Sequence, residues 1–244
     1  MWLLEDGGDF HAGLPKPHVE LVVSLSGIHW WRAARGAPEH RYASAWVTPI
    51  QRGPRFARAV GRRHLIGARL EPWAAIALFG LLPPGDGRPP PRLHELIDGE
   101  ARRLRRRLLR AADDRERFAR LAAWLEAQPA LRRVAPAGLA RSATDATAGG
   151  LARTAQLSSR TLRRRFAQEA GISPKRWLRL RRLDAVLRDA ERSVRDQSLA
   201  EFALAHGYAD QSHLSREIAE LTGATPAELR RRAPGSPPHL FPGG

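Results

Sequence analysis

Apolar residues change their spacing along this chain, and each change marks a change of element. Val19, Leu21, Val22, Val23, Leu25 and Ile28 form a β-branched run after Pro15 and Pro17. Tyr42, Trp46, Val47 and Ile50 form a second, ended near Pro49 and Gly53-Pro54. Residues 56–60 and 64–70 read as a third and fourth strand, with Gly61 between them. Glu71-Pro72 then leads into an apolar stretch, residues 73–82, which predicts a short buried helix with Pro in its first turn.

A Pro- and Gly-rich turn covers residues 83–91. From Arg92 the apolar steps become three and four: Leu93, Leu96, Ile97, Leu104, Leu108 and Leu109 predict one helix. Phe118, Leu121, Ala122 and Leu125 predict another, opened by Asp113-Asp114 and closed by Gln128-Pro129. Arg102, Arg103, Arg105, Arg106, Arg107 and Arg110 surround the first of these, either as a solvated face or as a nucleic-acid contact. The pattern implies an α+β chain: a β-rich N-terminal domain (1–90), a helical segment for dimerisation or packing (91–133) and a linker (134–146). An all-α domain (147–233) and a Pro/Gly-rich tail expected to fray (234–244) follow.

The helical domain repeats itself. Ser158, Leu162, Arg164, Phe166, Gly171, Ser173, Pro174 and Trp177 are matched in kind, 52 residues on, by Asp210, Leu214, Arg216, Ile218, Gly223, Thr225, Pro226 and Leu229. Ser158 and Asp210 are N-cap types. Leu162 with Phe166, and Leu214 with Ile218, are four apart and share a buried face. Gly171 and Gly223 stop each helix, and Ser173-Pro174 and Thr225-Pro226 restart it. A short apolar helix precedes each unit, at residues 151–155 and 199–205. Short helix, tight turn and capped second helix make a helix-turn-helix. Two such units, joined by a long helix from about Ser173 to Glu191, are expected.

These residues closely resemble the DNA-binding domain of the AraC/XylS family of bacterial transcription regulators over about residues 147–232. The resemblance rests on Leu151-Ala152, residues 158–166, Gly171-Ile172-Ser173-Pro174, Arg181-Arg182-Leu183, Gly207-Tyr208-Ala209-Asp210-Gln211-Ser212-His213-Leu214-Ser215-Arg216, and residues 223–226. It implies two helix-turn-helix units reading successive major-groove segments on one face of double-stranded DNA, behind a domain for sensing or dimerisation. By position, the first recognition helix presents Arg160, Arg163 and Arg164, and the second presents Gln211, Ser212, His213 and Arg216. Arg suits guanine and Gln suits adenine; solvated helix faces are the plain alternative. The sequence departs from the family at Gln156, where a turn glycine is usual, at Gly149-Gly150, where helix formers are usual and which predict a shortened or frayed first helix, and at Ile218 and Ala219-Glu220.

Composition sharpens this. The 244 residues carry 41 Lys+Arg against 25 Asp+Glu, a formal +16, and all the basic residues but Lys16 and Lys175 are arginine. Its arrangement matters more than its sum. Residues 146–183 are net +9, with Glu169 the sole acid, whereas residues 184–229 are net −5. The expectation is that the first unit and the start of the joining helix supply most phosphate attraction.

There is no Cys, which excludes disulfide scaffolds, thiolate metal sites and thiol nucleophiles. No serine-hydrolase elbow, phosphate loop, dinucleotide fingerprint or metalloprotease helix appears, so no enzyme is expected. His18, Glu20 and His64 were weighed as metal ligands, but no His-x-His pair supports them; no metal and no cofactor is expected. Trp30, Trp31, Trp46 and Trp73 are pocket or core aromatics. The N-terminus turns acidic at once and the longest apolar run is short, so neither a leader nor a membrane span is expected, and the reading is a cytoplasmic, nucleoid-associated protein. RNA polymerase, a small-molecule effector and a second copy of the chain are the further partners admitted. An architectural or protein-interaction module with weak sequence readout is the alternative.

Overall fold

The computed structural model describes residues 11–80, 82, 85, 87–132, 147–190, 198–230 and 240–242. The linker expected at 134–146 lies outside them. The N-terminal part is an antiparallel six-stranded sheet: β1 (His11–Gly13), β2 (Val19–Arg32), β3 (His40–Tyr42), β4 (Ala45–Thr48), β5 (Arg55–Leu70) and β6 (Leu240–Pro242). The order is β3-β2-β5-β1-β6, with β4 also on β2. The tail therefore supplies an edge strand, pairing Leu240–Pro242 with His11–Gly13, where a frayed end was expected.

The two halves expected for residues 56–70 are one strand. β5 pairs with β2 from Val19↔Leu70 to Arg32↔Phe56, and opposite Gly27 it carries residues 61–63. Gly27, with φ of +78°, sits at this irregularity. A glycine read as a break is thus part of a bulge, which twists a long strand without ending it. The run from Tyr42 to Ile50 behaves oppositely: it splits into β3 and β4, which pair with separate stretches of β2, His29–Trp31 and Glu20–Val23.

Alternation along β2 sorts side chains between two cores. Leu21, Val23 and Leu25 join Val47 and Ile66 on one face. On the other, Trp31, Tyr42, Trp46 and Leu65 form a small aromatic cluster, with Val22 packed against it. The four N-terminal tryptophans therefore line no common pocket: Trp73 packs on the reader and Arg58 lies over Trp30.

After α1 (Pro72–Phe79), the single helix expected from Arg92 is two, α2 (Leu93–Leu96) and α3 (Glu100–Leu109). Gly99, at φ of +67°, turns the chain between them and its N–H bonds the Asp98 carboxylate at 2.8 Å. α4 (Asp114–Glu126) starts at Asp113, whose side chain accepts from the Glu116 N–H, and α5 (Pro129–Arg132) follows. α3 and α4 pack as a hairpin, with Leu104, Leu108, Leu121 and Trp124 buried.

The C-terminal part comprises α6 (Ala148–Thr154), α7 (Ser159–Ala170), α8 (Pro174–Ala190), α9 (Leu199–Ala205), α10 (Gln211–Thr222) and α11 (Pro226–Arg230). One contiguous apolar cluster runs from the sheet through α1 into these helices. At its seam α1 packs on α7, and Trp177 of α8 is fully buried. The Trp177 indole N–H donates to the Pro17 carbonyl at 3.0 Å, and its ring meets Phe166 and Trp73 edge-on at 5.4 and 5.9 Å. Arg52 donates to the Gly171 carbonyl and Arg176 to the Arg52 carbonyl. No helix among the described residues is long and apolar enough to cross a membrane.

The sheet tolerates little at its centre. A Cβ on Gly67 would lie 2.5 Å from the Leu21 carbonyl oxygen, on the neighbouring strand's backbone. Gly67→Ala is expected to cost roughly 1–3 kcal/mol, as overpacking does. A urea-unfolding midpoint equal to the wild type's would show that the two strands can part there freely.

Candidate nucleic-acid interface

Each helix of the reader begins at a side chain that satisfies its first orphan N–H groups. Thr147 Oγ1 accepts from the Gly150 N–H at 3.0 Å, Ser158 Oγ from Thr161 at 3.1 Å, and Ser173 Oγ from Arg176 at 3.2 Å. In the second unit Ser198 with Glu201, and Thr225 with Glu228, close reciprocal capping boxes, and Asp210 Oδ1 accepts from the His213 N–H at 2.7 Å. The Thr147 cap lets α6 form despite Gly149-Gly150, so this helix includes both glycines.

The turns are alike in bonding and unlike in residue. In the first, the Leu157 N–H reaches the Ala152 carbonyl and the Gln156 N–H the Arg153 carbonyl; in the second, Tyr208 reaches Ala203 and Gly207 reaches Leu204. Both are Schellman turns, which need a left-handed residue. Gly207 supplies it at φ of +74°, whereas Gln156 does so at +52° as the only non-glycine with positive φ among the described residues. Gly171 and Gly223 end α7 and α10 in the same conformation.

Leu162 and Phe166 of α7, and Leu214 and Ile218 of α10, are buried. That burial turns the opposite faces outward. Arg160, Arg163 and Arg164 are exposed on α7, and Gln211, Ser212 and Arg216 on α10. The Nε groups of Arg163 and Arg216 donate to the carbonyls of Ser159 and Ser212, four residues back, which steadies each guanidinium over its own helix. His213 is placed differently. It is half-buried, its ring packs edge-on against Tyr208 at 5.3 Å, and its Nδ1 accepts from the Ala209 N–H at 3.4 Å. That bond leaves the proton on Nε2, so neutral His213 presents a donor. Gln168, exposed one turn beyond Arg164, extends the Arg160–Arg164 row, and Arg165 is exposed beside it. Their four-residue spacing from Arg160 and Arg164 was the signal for Gln168.

The joining helix differs from the charge reading. Arg179 and Arg182 turn inward to α10: Arg179 bonds Glu217 at 2.8 Å and Glu220 at 2.6 Å, and Arg182 bonds Glu217 at 3.1 Å. Glu217 is only 5 % exposed and needs both cations. Arg181 stacks on Trp177 and Arg176 is taken by Arg52. Two acids of the second unit, Glu217 and Glu220, thus neutralise Arg179 and Arg182 of α8, which turn away from solvent. Arg182 also lies over the Tyr208 ring at 5.3 Å, and burial pushes the Tyr208 phenol well above its ordinary range.

His18, Glu20 and His64 each face a different partner. His64 pairs with Asp114 at 3.0 Å, Glu20 with Lys16 at 2.8 Å, and His18 faces Asp184 at 3.7 Å. No group able to hold a metal ion occurs among the described residues.

Residues 151–232 match the family model of a helix-turn-helix domain. An HTH-type transcriptional activator RhaS from Pectobacterium atrosepticum is 35% identical over 85 residues, covering 35% of this chain and 30% of that protein. The RhaS of Pectobacterium carotovorum subsp. carotovorum is 34% identical over 85 residues, with the same coverage. The chain thus aligns with under a third of the length of these relatives. The structure of ToxT from Vibrio cholerae superposes with a TM-score of 0.50 at 10% identity, covering 93% of this chain and 95% of that one, a likeness of fold. Residues 151–232 are a helix-turn-helix domain, set behind an N-terminal β domain.

Two substitutions probe this architecture. Gln156→Gly removes a left-handed side chain and is expected to stabilise the chain by about 1 kcal/mol; a lower thermal midpoint would mean that Gln156 makes a compensating contact. Glu217→Ala leaves Arg182 without its ion pair and Arg179 with Glu220 alone, and is expected to cost roughly 3 kcal/mol. The bridge is also pH-dependent. The Arg179 hydrogen bonds hold the Glu220 carboxyl below the ordinary carboxylate range. Its contribution is therefore full above that range and lost as pH falls through the depressed value. Stability curves of wild type and Glu220→Gln should converge as the solution is acidified.

Proposed function

We propose that this chain is a sequence-specific, DNA-binding transcription regulator that reads adjacent major-groove segments with α7 and α10 under the control of its N-terminal domain. One observation carries this reading: two capped helix-turn-helix units each bury an apolar stripe and turn an Arg-bearing face outward. Arg160, Arg163 and Arg164, with Gln211, Ser212, His213 and Arg216, are the proposed contacts. Arginine forks suit guanine edges or phosphates, Gln211 suits adenine, and the His213 Nε2 donor suits an acceptor on a base edge. The domain reading follows: residues 1–90 as a sensor unit, 91–133 as a helical segment for packing or dimerisation, and 147–233 as the reader. DNA is the partner; RNA polymerase, a small-molecule effector and a second copy of the chain complete the scheme. A regulator of this kind acts in the cytoplasm, on the nucleoid, and performs no catalysis.

Selection of bound fragments from a random-sequence DNA pool by the full chain tests the proposal. A consensus of two segments about one helical turn apart is expected. Arg163→Ala and Arg164→Ala should each weaken binding to it by roughly 1–3 kcal/mol, and more than Arg216→Ala does. Affinity should fall steeply with salt. Binding without any consensus, and with no advantage over bulk DNA in competition, would favour the architectural module.

A further inference from the structure

A cleft of about 600 Å³ opens beside the buried Trp177. Three bodies wall it: Pro17, His18 and Glu71 from the N-terminal domain, one side of α8, and the His206-Gly207 turn of the second helix-turn-helix unit. A molecule held there would touch the sensor, the joining helix and the second reader together. Trp177, Leu178 and Ala185 give it an apolar wall.

Its charged residues fall into two groups. Most are paired within the protein: Asp184 with Arg188 at 2.7 Å, Asp189 with His206 at 3.0 Å, and Arg182 with Glu217. Two are not. Glu71 and Arg181 have no hydrogen-bonded or ion-paired partner among the described residues, although each feels the other's charge. The Arg181 guanidinium carbon lies 4.7 Å from the centre of the Trp177 ring, a cation–π contact that uses none of its N–H donors on a hydrogen-bond acceptor. Glu71 sits before α1, and its side chain caps no N–H there. Burial raises the Glu71 carboxyl above its ordinary range, against the opposing charges of Arg181 and His18. One half-buried carboxylate without a protein hydrogen bond thus stands on the N-terminal side, and one half-buried guanidinium whose protein contact is the Trp177 ring stands on the α8 side.

We propose that this cleft binds a small zwitterion of the amino-acid or dipeptide class, its ammonium on Glu71 and its carboxylate on Arg181. A simple anion would satisfy Arg181 and leave Glu71 facing a second negative charge. A simple cation would do the reverse. Only a ligand with both charges satisfies both sides, and the apolar wall and the cleft's size suit a large side chain or a second residue. Bridging the seam would lock the N-terminal domain to α8 and to the α9 turn, fixing how the two reading helices stand. This rests on the reading of the N-terminal domain as the controller of a DNA reader.

The test uses the full chain, thermal-shift screening and titration calorimetry, with the twenty free amino acids and a panel of dipeptides as probes. At least one zwitterion should raise the melting temperature and bind stoichiometrically. Its N-acetyl and C-amide derivatives should each bind at least tenfold more weakly. Glu71→Gln and Arg181→Gln, folded by circular dichroism and melting as cooperatively as wild type, should each lose the shift. If no zwitterion binds, if the N-acetyl form binds as well, or if Glu71→Gln keeps full affinity, the proposal fails. A gel shift with the same preparation on the selected DNA separates the two ideas. Intact DNA binding without a zwitterion effect overturns only the cleft, whereas absence of specific DNA binding overturns the regulator reading itself.

Discussion

Burial of Trp177 is the contact on which the arrangement of this molecule depends. It lies near the start of the joining helix and touches Phe166 of the first recognition helix. It also touches Trp73 of the N-terminal domain and donates its only hydrogen bond to Pro17. An indole of this size buries enough apolar area to dominate a small interface, and its N–H must find an acceptor when dry. The sheet supplies that acceptor. Without the N-terminal domain the helical domain would expose this ring, so the sheet and the first helix-turn-helix unit form one packed body rather than beads on a string.

Electrostatics organise the second half of the reader in a complementary way. Glu217 and Glu220 draw Arg179 and Arg182 onto α10, tying it to the joining helix. Apolar contact fixes both recognition helices, and an ion-pair network adds to the hold on α10. That added part responds to salt and acid. The outward charge is also unequal. Arg160, Arg163, Arg164 and Arg165 stand exposed on α7, whereas on α10 Arg216 is the exposed arginine.

What could be read from sequence was whatever is encoded locally. Caps such as Ser158 and Asp210, stop glycines such as Gly171 and Gly223, and apolar pairs four apart define their helices from neighbours alone, so the repeat was legible. Glycine in other settings was ambiguous. Gly61 looked like an end and lies in a bulge, because a partner strand decides that. Gly99 passed unnoticed inside an apolar rhythm that spans a real turn. Helix faces gave Arg160, Arg163 and Arg164 their exposure correctly. His213 was half hidden by Tyr208, a neighbour that the repeat did not match. Long-range pairings left no local trace at all: nothing near Arg179 announces Glu217, and nothing near Trp177 announces Pro17.

The pairing of Leu240–Pro242 with His11–Gly13 reaches across nearly the whole described chain. On a ribosome, where synthesis runs from the N-terminus, β1 emerges long before its outer neighbour exists. Until the segment beyond the reader arrives, that edge of the sheet has open N–H and C=O groups and invites wrong partners. The reader can close its local contacts early, while the sheet waits on a contact of very high sequence separation, which loop-closure entropy makes slow. Completion of the sheet is therefore a late event in folding, and a nascent chain carries formed helix-turn-helix units beside a sheet that still lacks its outer strand.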